Sequence, residues 1–228
     1  MLTIVIPVFN NFNFTKSCLK DLSKLKETQI IIVDNGSTDD TININSNLNF
    51  EINDLLTIRN ETNLGFAAAC NIGYKNANYN NVMFLNNDIR VQKNHESWTN
   101  IILESLNDNN IVGPTMGLLN ESFGFVKEEN KLINSKLAYM SGWNLTAKKS
   151  VWNKLIEDGD CGPFSTRYFA YFEDTHLSFL AKEKGIEFSV VPVPVFHFGR
   201  TTGKMLNISE LYLGSKNKFI SYWKERIK

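Results

Sequence analysis

The chain has 228 residues, 43% hydrophobic and 21% charged, with 24 basic side chains balanced by 24 acidic ones. That length supports one domain with a substantial core, and a zero net charge gives no support to a general nucleic-acid binder, which carries a basic excess. Cys18, Cys70 and Cys161 are far apart and form no C-x-x-C pair, which argues against a structural zinc or a disulfide framework and fits a reducing compartment. With no basic leader, long apolar run or cleavage site, the expectation is a cytoplasmic protein without signal peptide or membrane span.

Residues 2–6 form a continuous apolar run that reads as a buried strand. Residues 15–25 place Cys18, Leu19, Leu22 and Leu25 at helical spacing. A second strand is predicted over 29–33, ending at Asp34, and a third over 55–58. Asn63-Leu64-Gly65 then turns into a helix with Phe66, Ala69, Cys70 and Gly73 on one face, and 82–85 reads as a fourth strand. Strands alternating with helices imply βαβ units and a parallel sheet, with ligands at the carboxyl ends of its strands. The second half is less regular. Helices are predicted over 96–106, 148–156, 173–184 and from Ser209, with short strands at 111–113, 137–140, 187–191 and 195–198. Residues 117–134 are polar and punctuated by glycine, a predicted mobile loop.

Several stretches carry residue types suited to chemistry. Leu85-Asn86-Asn87-Asp88 ends a strand with a carboxylate between amides, which suits a divalent cation carrying phosphates; the same residue types also make turns. Asp34 opens an Asn-Gly-Ser-Thr-Asp turn, placed either to accept from a nucleotide or to cap a helix with Ser37 and Asp39. The small residues after Asn63 allow a helix start to approach a diphosphate, where free amides favour anions, although the G-x-G-x-x-G fingerprint is absent. Glu173-Asp174 opens a helix, as caps or as catalytic acids; a helix start favours the ionised carboxylate and depresses its pKa. His197 lies on an apolar strand, as core residue or ligand. Arg200, with Thr201 and Thr202 between Gly199 and Gly203, reads as a phosphate clamp or a solvated loop residue. Residues 215–228 carry five basic side chains against Glu225, with Phe219, Ile220, Trp223 and Ile227 on one helical face. Such a helix can lie on an anionic membrane or pack on its own domain, and packing is favoured.

Taken in order, Pro7-Val8-Phe9-Asn10, Val33-Asp34-Asn35-Gly36-Ser37-Thr38-Asp39, the segment from Asn63 to Asn71, Leu85-Asn86-Asn87-Asp88, Phe172-Glu173-Asp174 and Val195-Phe196-His197-Phe198-Gly199 resemble the inverting family 2 glycosyltransferases of the GT-A fold, especially the rhamnosyltransferase-like branch. The resemblance implies an α/β fold with a mostly parallel central sheet flanked by helices. It implies one domain over 1–228, with a nucleotide-sugar half at 1–90 and an acceptor and catalytic-base half at 91–228. Contacts to the nucleotide sugar would come from Pro7, Val8, Phe9, Asp34, Asn63, Gly65, Phe66, Asn71, Asn86, Asn87, Asp88 and Arg200. Asp88 and His197 would hold Mn2+ or Mg2+, Asp174 would be the catalytic base beside Glu173, and Gly142, Trp143 and His176 would meet the acceptor.

The chain departs from the family at three points. Asn86 stands in the first acidic position of D-x-D, His176 in the second acidic position of E-D-x-D, and Leu180 where an Arg is usual. The implied partners are a UDP-sugar or dTDP-rhamnose donor and a glycan or lipid-linked acceptor, in polysaccharide biosynthesis. Peripheral contact with the inner membrane face, through the C-terminal helix, is a further expectation. A sugar nucleotidyltransferase would show a Gly-rich basic loop after the first strand, and Pro7-Val8-Phe9-Asn10-Asn11-Phe12 has neither property. An inactive carbohydrate-binding member of the fold is the other alternative.

Overall fold

The computed structural model describes residues 1–95, 97–199 and 208–227. Arg200, Thr201, Thr202 and Gly203 lie outside these, as does Glu96, the first residue of one predicted helix. The first half alternates as the apolar periodicity requires: β1 (Leu2–Val8), α1 (Phe12–Leu22), β2 (Thr28–Asp34), a short 3-10 turn, α2 (Ile44–Asn47), β3 (Leu55–Arg59), α3 (Phe66–Lys75) and β4 (Asn81–Leu85). Then come β5 (Ile89–Val91), α4 (Trp98–Glu104), β6 (Asn110–Gly113), β7 (Met116–Leu119), β8 (Phe125–Glu129), β9 (Ala138–Met140) and β10 (Asn144–Lys148). The chain closes with α5 (Lys149–Asn153), α6 (Glu173–Glu183), β11 (Glu187–Val190), β12 (Val195–His197) and α7 (Ile208–Trp223).

Seven strands form the central sheet in the order β11-β6-β10-β4-β1-β2-β3. All neighbours are parallel except β10, which runs antiparallel to both β4 and β6. This is the α/β architecture expected, a mostly parallel sheet flanked by helices. Alternate residues of each strand feed opposite faces. Val5, Ile31, Val33 and Phe84 join Ala67, Ala69 and Cys70 of α3 on one side. Ile4, Ile6, Ile30, Ile32 and Met83 join Cys18, Leu19 and Leu22 of α1 on the other. With both faces covered, β1 reads as an unbroken apolar run rather than an alternating one.

Three elements differ from the sequence reading. Residues 117–134 contain most of β7 and all of β8, paired antiparallel, instead of a mobile loop. Charged and glycine residues hid the pair because β8 is largely exposed. Strand β10 has no apolar signature because Asn144 and Thr146 sit fully buried between two neighbouring strands. Helix α1 starts three residues early, at Phe12, because the Asp39 carboxylate accepts the Phe12 N–H at 2.9 Å. The C-terminal helix packs on the domain, as favoured: Phe219 and Trp223 are buried, and Phe219 meets Phe123, Phe172 and Phe179 edge-on or tilted. Among the described residues no helix is long and apolar enough to cross a membrane. All three cysteines are free.

Candidate functional site

The parallel strands point their carboxyl ends at a cavity of about 350 Å³. One wall is built by the ends of β1 and β2 and the start of α3: Pro7, Val8, Phe9, Asn35, Asn63, Gly65 and Phe66. Asn86, Asp88 and His197 line a second, and Ser141, Gly142, Trp143, Glu173 and Asp174 a third. Phe169 to Tyr171, Glu128 of β8, Tyr139 of β9 and Ile208 and Leu211 of α7 complete it.

Asn35 organises the first wall. Its amide donates to the Asn63 side chain at 2.8 Å and to the Gly65 carbonyl at 3.1 Å. Its own carbonyl oxygen accepts from Asn60 Nδ2 and Leu64 N. Gly65 is required here: its φ is +88°, and a Cβ would stand 2.5 Å from the Phe169 carbonyl oxygen. That carbonyl accepts the Phe66 N–H at 2.9 Å. So the first amide of α3 is taken by the 165–172 segment, and the glycine serves this contact. The Phe66 amide is therefore not free for a diphosphate.

Four expected contacts do not reach the cavity. Asp34 is buried, with Oδ1 accepting the Ser37 N–H at 2.9 Å and Oδ2 paired with the Arg59 guanidinium. Asn71 is fully buried and exchanges two hydrogen bonds with the Phe164 backbone, 2.7 and 3.0 Å, pinning a loop far away in sequence. Asn87 points to Thr15 Oγ1 at 2.8 Å, tying the strand end to α1. His176 lies beneath α7, 1% exposed, among Tyr168, Glu157 and Trp223. Trp223 Nε1–H donates to its Nδ1, so Nε2 carries the proton and donates to Glu157 at 2.8 Å. His176 is a structural hub, not an acceptor contact. Arg200 lies outside the described residues.

Asp88 and His197 do converge. His197 Nε2 stands 3.1 Å from Asp88 Oδ1 and 3.3 Å from Asn86 Nδ2. The pairing of β12 with β5 sets this, placing His197 opposite Ile89, with Phe198 N–H on the Asp88 carbonyl. Among the described residues no three His, Cys, Asp or Glu side chains gather as a metal centre. The protein therefore offers a carboxylate oxygen and an imidazole nitrogen, with an amide beside them. That hard-to-borderline donor set fits Mn2+ or Mg2+ if the ligand supplies further oxygens.

Glu173 and Asp174 face the same space. Two consecutive residues with positive φ, Tyr171 and Phe172, both at 67°, precede them. Such backbone costs ~1–3 kcal/mol per residue and fixes the direction in which α6 begins. Asp174 Oδ2 accepts the Gly142 N–H at 2.9 Å and Oδ1 the Thr175 N–H at 2.6 Å. A Cβ on residue 142 would come 2.9 Å from that of Asp174, so the glycine permits the close approach. Glu173 Oε2 is buried without a hydrogen-bond partner among the described residues. Burial pushes the Asp174 carboxyl above the usual carboxylate range, against the pull of its hydrogen bonds from Gly142 and Thr175. Burial, and then the Asp174 charge, pushes Glu173 up as well. The depression expected from the helix start is thus reversed: desolvation outweighs the dipole.

The sequence reading missed Asn35, Glu128, Ser141, Tyr139 and the 169–171 wall. Asn35 lay inside a quoted turn, and its side-chain amide was the available signal. Glu128 and Tyr139 arrive through the β7, β8 and β9 pairing and have no local signal.

The family profile described as Glycosyl transferase family 2 matches residues 3–169. Over 96 residues the chain is 30% identical to a protein of Streptococcus pneumoniae named Glycosyltransferase GlyA, a match covering 41% of this chain and 14% of that one. The chain thus spans a small part of that relative's length. Among solved structures it is similar to the mannosyltransferase PcManGT of Pyrobaculum calidifontis, solved with GDP-Man and Mn2+. There the TM-score is 0.62 at 16% identity, over 84% of this chain and 54% of that one, a likeness of fold.

Proposed function

The chain belongs to glycosyl transferase family 2, and on that premise we propose that it is an inverting glycosyltransferase. It moves a sugar from a nucleoside-diphosphate donor to a hydroxyl of a glycan or lipid-linked acceptor. The observation that carries this reading is one cavity lined by two pairs, Asp88 with His197 and Glu173 with Asp174. On this reading the donor lies against Pro7, Val8, Phe9, Asn63, Gly65 and Phe66, and the acceptor against the wall of Gly142 and Trp143. The family resemblance favours a deoxyhexose or hexose donor of the UDP or dTDP type.

The charge of the cavity supports a cation-dependent donor. The lining includes the carboxylates of Asp88, Glu128, Glu173 and Asp174, and no Lys or Arg among the described residues. A diphosphate entering that field needs positive charge. Asp88 and His197 would hold the cation, with Asn86 adjacent; a bound Mn2+ or Mg2+ neutralises charge on the leaving diphosphate.

The protein's own step is proton removal. Asp174 takes the proton of the acceptor hydroxyl as that oxygen attacks the anomeric carbon. The bond from that carbon to the diphosphate oxygen breaks, and the configuration inverts. Such base assistance contributes ~10²–10⁴-fold, and a pKa lifted toward neutrality suits a base better than an ordinary carboxylate. Hydrogen bonds from Gly142 and Thr175 aim the group. A second reading gives the proton to Glu173, and its unpartnered Oε2 favours that reading.

Incubation with a panel of UDP-, dTDP- and GDP-sugars and sugar acceptors tests the proposal. Transfer with inverted anomeric configuration, read by proton NMR of the product, is expected. A retained configuration removes the single displacement, and nucleotidyl transfer in place of sugar transfer removes the activity class. Thermal shift with UDP, dTDP and GDP, with and without Mn2+, identifies the nucleobase: ligand at ~100 times its Kd adds ~2.7 kcal/mol.

A further inference from the structure

We propose that Trp143 is a positioning residue for His197, and that Trp143 is itself set by a hydrogen-bonded chain through Thr115 to Glu128 at the cavity rim. The inference rests on the reading that Asp88 and His197 hold a cation. The indole and imidazole rings stack with centroids 4.9 Å apart and planes inclined by 12°. His197 needs such a support. It lies on a three-residue strand paired with only one neighbour, itself three residues long, so the backbone alone leaves its ring weakly fixed.

Trp143 also holds the other side of the pair. Its carbonyl accepts the Asn86 N–H at 2.9 Å, which anchors the turn carrying Asn86 and Asp88. One residue therefore braces both donors, one through its ring and one through its backbone. The indole is 7% exposed, with one face covered by imidazole. The residue also lines the wall assigned to the acceptor.

The orientation of the indole is fixed by donors and acceptors in series. Trp143 Nε1–H donates to Thr115 Oγ1 at 2.9 Å, and Thr115 donates its single hydroxyl proton to Glu128 Oε1 at 2.6 Å. An indole only donates and a carboxylate only accepts, so the chain has one polarity. Glu128 stands on the exposed strand β8 and lines the acceptor side of the cavity. A link of this kind lets the acceptor rim set the geometry of the cation pair. Partners that orient a metal ligand from outside its coordination sphere are worth ~10–100-fold in metal affinity.

Histidine NMR reads the ring directly. The chain has three histidines, His95, His176 and His197, so selective labelling gives three imidazole signals, and His197→Asn assigns the one of interest. In the wild type the His197 ring protons should lie upfield, shielded by the indole. Trp143→Leu should return them to the unstacked position, and Trp143→Phe should leave part of the shift. Thr115→Val, which removes only the relay hydroxyl, should move the same signal by less. Mn2+ titrated alone, with the free ion followed by electron paramagnetic resonance, should bind ~10–100-fold more weakly to Trp143→Leu.

An unmoved His197 signal in Trp143→Leu overturns the positioning role, and so does an unchanged Mn2+ affinity in that variant. If Trp143→Leu does not fold, Trp143→Phe and Thr115→Val decide. Wild-type ring signals in both overturn the proposal. Unchanged Mn2+ affinity in Asp88→Ala sinks the cation reading itself, and the ring signals still judge the stack.

Discussion

The wall we assign to the donor and the wall we assign to the acceptor are held together by different means. On the first, β1, β2, β4 and the start of α3 present backbone and amide groups within a dense network: the Asn35 side chain alone bonds four residues of the 60–65 stretch. On the second, the Asp174 carboxylate is held by Gly142, 32 residues away, and both it and Glu173 follow two strained residues. Amides carry no charge and are cheap to bury once bonded. Carboxylates are not, and the second side keeps two of them desolvated. The first wall is therefore a neutral frame and the second carries desolvated carboxyl groups, the setting a reacting group would need.

The largest test of that contrast is Asp174→Asn. Asparagine keeps the shape and can still accept the Gly142 N–H through its one oxygen, but cannot take a proton. Transfer should fall at least ~10²-fold with donor binding unchanged. A rate near wild type moves the base to Glu173, and Glu173→Gln then carries the loss; His176, buried and fully bonded, is removed from the candidates. The pH profile adds a sign. Because the folded pKa of Asp174 is raised, kcat/KM should climb with pH through a range above that of ordinary carboxylates. Stability should fall over that same window, since the folded state holds the proton more tightly than the unfolded chain. An acid limb at ordinary carboxylate pH contradicts the desolvated site.

Asp88→Ala addresses the side of the cavity where the halves meet. Nucleotide binding should weaken ~10-fold or more with Mn2+ present and change little without it. Asp34→Ala, which removes no cavity-lining group and releases Arg59 behind the wall, can act only through that wall's shape and should weaken binding to the same modest extent with and without the ion. Isothermal calorimetry with the nucleoside diphosphate separates the two. Equal losses without metal take Asp88 out of the cation site.

The same contrast explains what could be read in advance. Strands β1, β2 and β4 are buried on both faces, so their runs of Ile, Val and Leu announce them, and the motifs at their ends fall where a parallel sheet puts ligands. Asp88 was legible for that reason, whereas His197 on β12 and Glu173 and Asp174 at the start of α6 were picked out through the family resemblance; all four line the cavity. Asn71 and Asp34 were misplaced because a buried amide or carboxylate can look inward as readily as outward: Asn71 bonds the Phe164 backbone, and Asp34 pairs with Arg59. Strand β10 and the β7–β8 pair were hidden because one is polar although buried and the other exposed. Tyr139 and Glu128 could not be found at all, since only the pairing of β7, β8 and β9 brings them to the cavity.

Gly65→Ala probes the seam between the walls. Its φ of +88° and the 2.5 Å approach to the Phe169 carbonyl leave no room for a methyl group. The strained backbone alone is worth ~1–3 kcal/mol, and relief requires moving the 165–172 segment that leads into Glu173. Thermal melting should register the loss. Transfer should drop with it even at temperatures where the variant is fully folded; unchanged kinetics in a folded variant would separate the glycine from the catalytic wall.

The smallest effect on transfer is expected at His176, where the sequence pattern suggested an acceptor contact. Replacement by Phe keeps much of the ring volume but removes both nitrogens. Trp223 Nε1, on a side chain 1% exposed, then has no acceptor, and a buried donor left unpaired costs ~1–3 kcal/mol. Glu157 loses the hydrogen bond that is the main cause of its pKa being lowered to about 2. A depressed carboxylate stabilises the fold above its unfolded pKa and gives that stability up as pH falls toward the folded value. Acid unfolding of His176→Phe should therefore begin at a higher pH than in the wild type. His176→Gln, with one acceptor and one donor group, should recover part of the loss. Through all of this the acceptor KM should stay at its wild-type value, because no atom of His176 lines the cavity. A raised acceptor KM in a variant of undiminished melting temperature would restore the acceptor contact and place the second wall's reach well beyond Gly142 and Trp143.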